Sequence, residues 1–169
     1  MNKFLEILYS EHDIIQKAAE QAQKAGELIG KNDDQYKEQM QKLIRFFRTY
    51  ADEYHHSKEE AILFPAMLEK NELLKDGILQ EMLENHEDFR DMLSSIEKEI
   101  NQGNLQNSQR LIMKYTEALL DHIAVENDEV FIVAESLFSD NELENIFFRF
   151  KDSDRAIGDK QKLELEQFQ

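Results

Sequence analysis

The sequence predicts an all-α protein, an antiparallel up-down four-helix bundle with a short C-terminal helix. Apolar residues recur three and four positions apart over long stretches of the chain, which is the period of an amphipathic helix. Glycine and proline account for only 5 and 1 of the 169 residues, which favours helices over a sheet. Short polar turns separate four long periodic segments, and short links favour antiparallel neighbours.

The first helix is followed by a polar turn and then by the second helix. The apolar stripe of the first helix consists of Phe4, Leu5, Leu8, Ile15, Ala19, Ala22 and Ile29. Asn32, Asp33 and Asp34 predict a turn with a helix N-cap, and the second helix runs from about residue 35 to about residue 68. Pro65 has no backbone N–H, so we expect it to kink or end this helix.

The third helix is predicted to start between residues 75 and 78, and Gly103 marks the turn that follows it. The fourth helix runs from about residue 105 to about residue 137. Ser139 with Glu142 is typical of a capping box for a short fifth helix. From Lys151 onward the sequence is polar, and we expect this end to pack loosely or fray.

Composition excludes several classes of protein. The net charge of -16 disfavours binding to nucleic acid and provides no basic patch for a membrane surface. The chain has no cysteine, which excludes thiolate zinc sites, iron–sulfur clusters and cysteine nucleophiles. No stretch has the length of a membrane span or a signal-peptide core, so we expect a cytoplasmic protein. The polar backs of the helices favour a monomer.

The chain has only five histidines, and four of them form a two-fold pattern. A single histidine is followed by His-x-x-x-Glu, and the same order then repeats. The pattern consists of His12, His55 with Glu59, His86, and His122 with Glu126. His12, His86 and His122 each have apolar residues three and four positions away, so they are predicted to point into the bundle.

His55 and His56 each have a glutamate four residues later, so spacing alone does not choose between them. His55 continues the apolar phase of Phe47 and Ala51, whereas His56 continues the polar phase of Asp52. In a regular helix His55 and Glu59 therefore face inward. His56 and Glu60 would then be peripheral ligands or outer partners.

Several inward imidazoles and two inward carboxylates indicate a metal centre. Buried polar groups without partners cost about 1–3 kcal/mol each, and buried carboxylates cost more unless a cation neutralises them. Four imidazoles and two carboxylates are too many for one tetrahedral zinc ion but suit two ions bridged by carboxylates. Mixed nitrogen and oxygen ligation fits iron, and manganese or zinc are possible substitutes. The alternative is a metal-free interaction bundle with satisfied core histidines.

These motifs resemble the hemerythrin-like (HHE cation-binding) family. The resemblance rests on SEHD at His12, HHSKEEAILFP from His55, ENHEDFR at His86 and DHIAVENDEVF from Asp121. It implies one hemerythrin-like domain over residues 1–169, with a core at about 1–138 and a short helix and polar tail at 139–169. It also implies two iron ions joined by an oxo or hydroxo bridge.

The resemblance implies a role for each residue of the pattern. His12 and His55 would ligate one iron, His86 and His122 the other, and two glutamates, Glu59 and Glu126, would bridge them. The oxygen carriers of the family have a histidine four residues after the third-helix histidine, where this chain has Arg90. Arginine is no ligand, so the second iron lacks one imidazole. Water would fill such vacancies, or His56 or Glu60 would add a ligand, for example to the first iron.

The predicted function is binding or sensing of dioxygen, nitric oxide or peroxide at a carboxylate-bridged di-iron site. One alternative is an oxidoreductase that consumes peroxide or nitric oxide with a redox partner, and another is an iron store or donor for repair of iron centres. No separate catalytic residue is predicted. A ferritin-like oxidase, which uses repeated Glu-x-x-His pairs, is disfavoured because Glu53-x-x-His56 occurs only once.

Overall fold

The computed structural model describes residues 2–167, which form six helices and contain no strand. The bounds are Glu6–Ala25 for α1, 33–70 for α2, Ile78–Asn101 for α3, 105–137 for α4, Asp140–Ile157 for α5 and Asp159–Glu166 for α6. Short 3₁₀ turns at Gly26–Leu28 and Glu72–Asp76 lie in two of the connections. The predicted all-α fold is confirmed.

Helices α1 to α4 form an antiparallel bundle with two hydrophobic clusters. The lower cluster combines the C-terminal halves of α1 and α3 with the N-terminal parts of α2 and α4. The upper cluster combines the opposite halves of the same helices with α5. Each helix thus runs from one cluster to the other, and helices that follow one another in the chain run in opposite directions.

The helices α2 and α4 are not regular α-helices. Helix α2 contains π-helical turns at Phe47–His56 and Glu59–Leu63, and α4 contains one at Glu126–Val130. In the last two, a backbone N–H bonds to the carbonyl five residues earlier: Phe64 to Glu59 and Phe131 to Glu126. Single π turns are found often at functional sites, and here two of them begin at a glutamate of the predicted metal pattern.

Pro65 does not end α2, which was one of the two effects, a kink or an end, expected from its missing N–H. It lies in the first turn of the α-helical segment Phe64–Lys70, directly after the π turn. An amide at this position has no helical partner to lose when the hydrogen-bond pattern changes from π to α, so proline is tolerated. The helix continues to Lys70.

The predicted turn signals are confirmed. The Asn32 side chain accepts a hydrogen bond from the amide of Gln35 and caps α2. Gly103 has a φ of 78°, in the left-handed region that suits glycine, between α3 and α4. Ser139 and Glu142 form a capping box at the start of α5.

The C-terminal segment is more ordered than its polar sequence suggests. Instead of fraying after Lys151, α5 continues to Ile157 and is followed by α6. Leu143, Ile146 and Phe150 pack into the upper cluster. Beyond them Ile157 and Leu165 pack against the lower cluster. Polar contacts add to this, because the Tyr50 hydroxyl donates to Glu166 and Asp154 pairs with Lys58. An apolar stripe alone does not reveal docking of this kind.

No helix within residues 2–167 combines the length and the apolar character that a membrane crossing needs.

Replacing Ser139 with alanine is expected to lower the free energy of unfolding by about 1 kcal/mol, because the Glu142 amide loses its capping acceptor. Chemical denaturation measures this change. Ser136→Ala is the matched control: its hydroxyl bonds only to the Val133 carbonyl inside α4, and alanine has the higher helix propensity. An equal loss in both variants would contradict the capping role.

Candidate metal centre

A layer of polar side chains lies between the two hydrophobic clusters. Each of the four bundle helices contributes to it at the level where its residues change from one cluster to the other. All of its members are at most 3% exposed. They are His12, His55, His56, Glu59, His86, His122 and Glu126.

The layer contains two groups of side chains that could each hold a metal ion. The first group consists of His12, His55, Glu59 and Glu126. The second group consists of His56, Glu59, His86 and His122. Within each group the candidate donor atoms lie within 4.8 Å of one another.

The two glutamates lie between histidines of different groups. Glu126 Oε2 is 3.1 Å from His12 Nε2, and its Oε1 is 3.1 Å from His122 Nε2. Glu59 Oε1 is 3.4 Å from His55 Nε2, and its Oε2 is 3.5 Å from His86 Nε2. Each carboxylate therefore directs one oxygen to each half of the layer, which is the arrangement that a bridge between two ions requires.

The outer ring nitrogens of four histidines connect the four helices in a closed ring. His12 Nδ1 on α1 is 2.7 Å from Asn127 on α4, and His55 Nδ1 on α2 is 2.7 Å from Glu11 on α1.

The remaining two links complete that ring. His86 Nδ1 on α3 is 2.8 Å from Glu60 on α2, and His122 Nδ1 on α4 is 3.2 Å from the side-chain amide of Asn85 on α3. Metal-bound histidines usually donate their second ring N–H to such a partner, which fixes the tautomer and leaves Nε2 for the metal. At His122 the atom in contact is Asn85 Nδ2, so this tautomer needs the amide turned over, with its oxygen toward Nδ1.

His56 lies inside the layer, which corrects the expectation that it faces solvent. It is 3% exposed and stacks on His86 with ring centroids 3.8 Å apart. The π-helical turns at Phe47–His56 explain the difference, because a wider turn brings consecutive side chains closer in angle than a regular α-helix does. His55 and His56 therefore both reach the interior, and His56 joins the second group rather than the first.

Arg90 stands where the oxygen carriers have a histidine, and it organises the outer side of the second group. Its guanidinium is 2.8 Å from Asp52 Oδ1 and 2.9 Å from Glu60 Oε1. Asp52 in turn contacts His56 Nδ1 at 3.2 Å. Arg90 thus holds the two carboxylates that orient His56 and His86, and Glu60 is an outer partner rather than a member of either group.

Sequence reasoning found only part of the outer partners. Glu60 was predicted as a peripheral ligand or an outer partner, and it lies 2.8 Å from His86 Nδ1. The partners that the sequence analysis missed are Asp52, Asn85 and Asn127. For Asp52 a signal was available, because it lies four residues before His56.

The tyrosines near the ligand turns have other roles than contact with the layer. The Tyr9 hydroxyl donates to the Asn127 carbonyl at 3.3 Å. Tyr115 is buried and packs edge-on against Phe47 and Phe89. The Tyr54 ring lies 3.5 Å from Lys58 Nζ.

The donor set fits cations. His12 Nε2, His55 Nε2 and all four carboxylate oxygens of Glu59 and Glu126 are buried without a hydrogen-bond partner among the described residues. Such atoms cost free energy unless a positive charge satisfies them. Because they point at one another, metal ions would satisfy all of them together.

The carboxylates hold protons on two of the imidazoles in the metal-free protein. Burial alone disfavours a charged imidazole, but Glu59 and Glu11 outweigh burial and raise the pKa of His55 to about 10. Glu126 and Glu60 likewise outweigh burial and raise the pKa of His86 to about 9. Burial and the neighbouring His86 lower the pKa of His56 well below its usual value. His56 is therefore the neutral member of this trio at pH 7.

Comparison with known proteins agrees with this geometry. The family model described as the Hemerythrin HHE cation binding domain matches residues 3–134. The chain belongs to this family. Neither the search of curated proteins nor the search of solved structures gave a significant match. The hemerythrin match spans α1 to α4 almost completely and ends before α5.

Binding of a divalent cation to the metal-free protein at pH 7 is expected to release protons. Imidazoles must be neutral to bind metal, and His55 and His86 have pKa values raised to about 10 and about 9. Affinity should therefore rise with pH between neutrality and these values. Calorimetry in buffers of different ionisation enthalpy measures the release, and heats that do not depend on the buffer would contradict it.

Proposed function

We propose that this protein is a non-haem di-iron protein that binds or senses dioxygen or nitric oxide. The observation that carries the proposal is the placement of Glu59 and Glu126, each with one oxygen toward either group of histidines. Two carboxylates that bridge between two sets of imidazoles suit a pair of ions rather than one. The ligands we propose are the seven residues of the polar layer.

The chemistry of the donors favours iron. The layer offers imidazole nitrogen and carboxylate oxygen, and the chain contains no cysteine to provide thiolate. Manganese or zinc could occupy the same donors. Iron bound here would supply a redox-active centre for a small ligand such as dioxygen, nitric oxide or peroxide.

The two positions differ in their donors. The first group has two imidazoles, those of His12 and His55, and the second has three, those of His56, His86 and His122. The two bridging carboxylates would be shared by both positions. The outer partners differ as well: Glu11, buried beside Lys58, supports the first group, while the partly exposed Asp52 and Glu60 support the second.

The folded protein keeps water away from the polar layer and fixes the orientation of its imidazoles. The two hydrophobic clusters cover the layer from both sides, and the ring of outer partners sets the plane of each imidazole. His12 also stacks on Phe131, with ring centroids 5.4 Å apart. A small uncharged ligand can reach such a site more easily than a charged one, since desolvating a charge is costly.

Anaerobic reconstitution with ferrous iron followed by exposure to air tests the proposal. We expect about two irons per chain, consistent with a pair of ions bridged by two carboxylates. We also expect new near-ultraviolet and visible charge-transfer bands on exposure. Recovery of the original spectrum after removal of oxygen would favour binding or sensing. Irreversible oxidation, or rapid turnover of peroxide or nitric oxide with a reductant, would favour the oxidoreductase. Failure to take up iron would overturn the di-iron proposal.

Replacing Glu126 with glutamine is expected to remove at least one of the two irons. The amide has no negative charge, and it places an NH₂ group toward His12 or His122, where a cation would need an oxygen ligand. Metal analysis after gel filtration measures the loss. Glu129→Gln is the matched control, because Glu129 lies on the exposed face of the same helical turn. Equal iron content in the two variants would show that Glu126 is no ligand.

A further inference from the structure

A lysine with no exposed surface lies beside the metal centre, held between two carboxylates. Lys58 is 0% exposed and belongs to α2, between His56 and Glu59 in sequence. Its ammonium pairs with Glu11 of α1 on one side and lies 2.7 Å from Asp154 Oδ1 of α5 on the other. Asp154 is only 9% exposed. A buried ammonium is tolerated only when it is paired in this way.

Glu11 divides its carboxylate between this lysine and a histidine of the metal centre. Oxygen Oε2 accepts the N–H of His55 Nδ1 at 2.7 Å, and oxygen Oε1 contacts Lys58. The result is a continuous chain of charged contacts from α5 to the first group of metal donors. Its members in order are Asp154, Lys58, Glu11 and His55.

Asp154 comes from a part of the chain that the family match does not include. The match ends at residue 134, and α5 begins at Asp140. The capping box and the packing of Ile146 and Phe150 fix α5 against the bundle and bring Asp154 to Lys58. The helix thereby adds a charged group to a site that the four bundle helices otherwise build.

We propose that Asp154 is a positioning residue that acts on the imidazole of His55 through this chain of buried contacts. It makes the C-terminal helix a part of the metal centre, so that docking of α5 and binding of metal at the first group strengthen each other. The inference rests on the proposed metal centre but not on the identity of the metal.

The direction of the effect follows from the charges. Asp154 and Glu11 share one ammonium, so each carboxylate takes part of its positive charge. Without the Asp154 charge, the whole ammonium acts on Glu11 and makes it a weaker acceptor for the His55 N–H. A weaker acceptor leaves the imidazole less basic and the metal less tightly bound. Loss of a buried negative charge near a cation acts in the same direction.

A purely structural salt bridge predicts something different. If Asp154 only anchored α5, its loss would lower the stability of the protein and leave the intrinsic affinity for metal unchanged. Anchoring of α5 needs only the pairs that Asp154 makes with Lys58 and, at 3.8 Å, with Lys151. The second carboxylate on the buried ammonium, Glu11, is not needed for anchoring and extends the contacts to His55 of the first group.

Titration of the metal-free full-length protein with zinc, in competition with a chromophoric chelator, tests the proposal. Cobalt titration followed by its visible spectrum reports on the geometry of each site. For Asp154→Asn we expect one of the two binding steps to weaken by about 5- to 10-fold. Loss of an outer partner that bonds directly to a metal-bound histidine lowers the affinity for metal by about 10- to 100-fold, and a residue that acts through two others should have a smaller effect. The other step should stay as in the wild type, and Asp154→Glu should recover much of the affinity.

Two matched controls separate positioning from anchoring. Ser139→Ala removes one capping hydrogen bond at the start of α5 and leaves the charged chain intact, and Asp152→Asn removes an exposed carboxylate of the same helix, which pairs with Arg155 among the described residues. In both variants α5 should stay docked with Asp154 against Lys58, so both should bind zinc as the wild type does. Equal weakening of both steps in Asp154→Asn and Ser139→Ala would overturn the proposal, as would an unchanged Asp154→Asn. A wild type that binds no metal would instead overturn the proposed function.

A measurement on the wild type decides the matter if Asp154→Asn does not fold. Coupling between two sites is reciprocal, so metal at the first group must stabilise the docking of α5. Hydrogen exchange with and without zinc should show slower exchange in residues 140–157. Exchange there that does not respond to zinc, while the ligand segments of α1 and α2 become protected, would overturn the proposal.

Discussion

Two glutamate carboxylates buried among five imidazoles are the constraint on which this structure depends. Glu59 and Glu126 have no exposed surface and no hydrogen-bond partner among the described residues. Such groups destabilise a core unless positive charge neutralises them. The two hydrophobic clusters, one on each side of the layer, supply the burial that offsets this cost and keep the layer at the middle of the bundle.

The wide helical turns are a local consequence of the same constraint. A regular helix that presents His55 inward turns His56 away by about 100° per residue. The π turns of α2 bring both to the interior, and a matching π turn begins at Glu126 in α4. The backbone departs from its usual hydrogen-bond pattern where more donors are needed on one face than a regular helix can offer.

The sequence allowed a good prediction of the fold and a partial one of the site. Apolar periodicity identified the four helices, and polar turn residues such as Asn32, Gly103 and Ser139 marked their ends. Helical phase also placed His12 and His86 correctly inside the bundle. It failed for His56, because phase arguments assume a constant number of residues per turn.

Contacts between helices explain the other differences. Asn127 and Asn85 support histidines on neighbouring helices, and no spacing within one helix reveals such pairs. The end of α5 gave only a weak apolar signal, because few apolar residues dock it and Asp154 adds a charged contact to Lys58. Polar and charged contacts between helices determine both arrangements, and the sequence of one helix alone does not reveal them.

The closed ring of histidine partners has a consequence for how fast an ion can leave. Each of the four imidazoles in the ring is held by a side chain from the adjacent helix, so none of these four can swing away without breaking a link to a neighbour. Because the ring passes through all four helices, departure of a bound ion would be expected to need an opening of the bundle between at least two of them. The residence time of the metal would then be set by the breathing of the bundle rather than by the strength of any one bond to the metal.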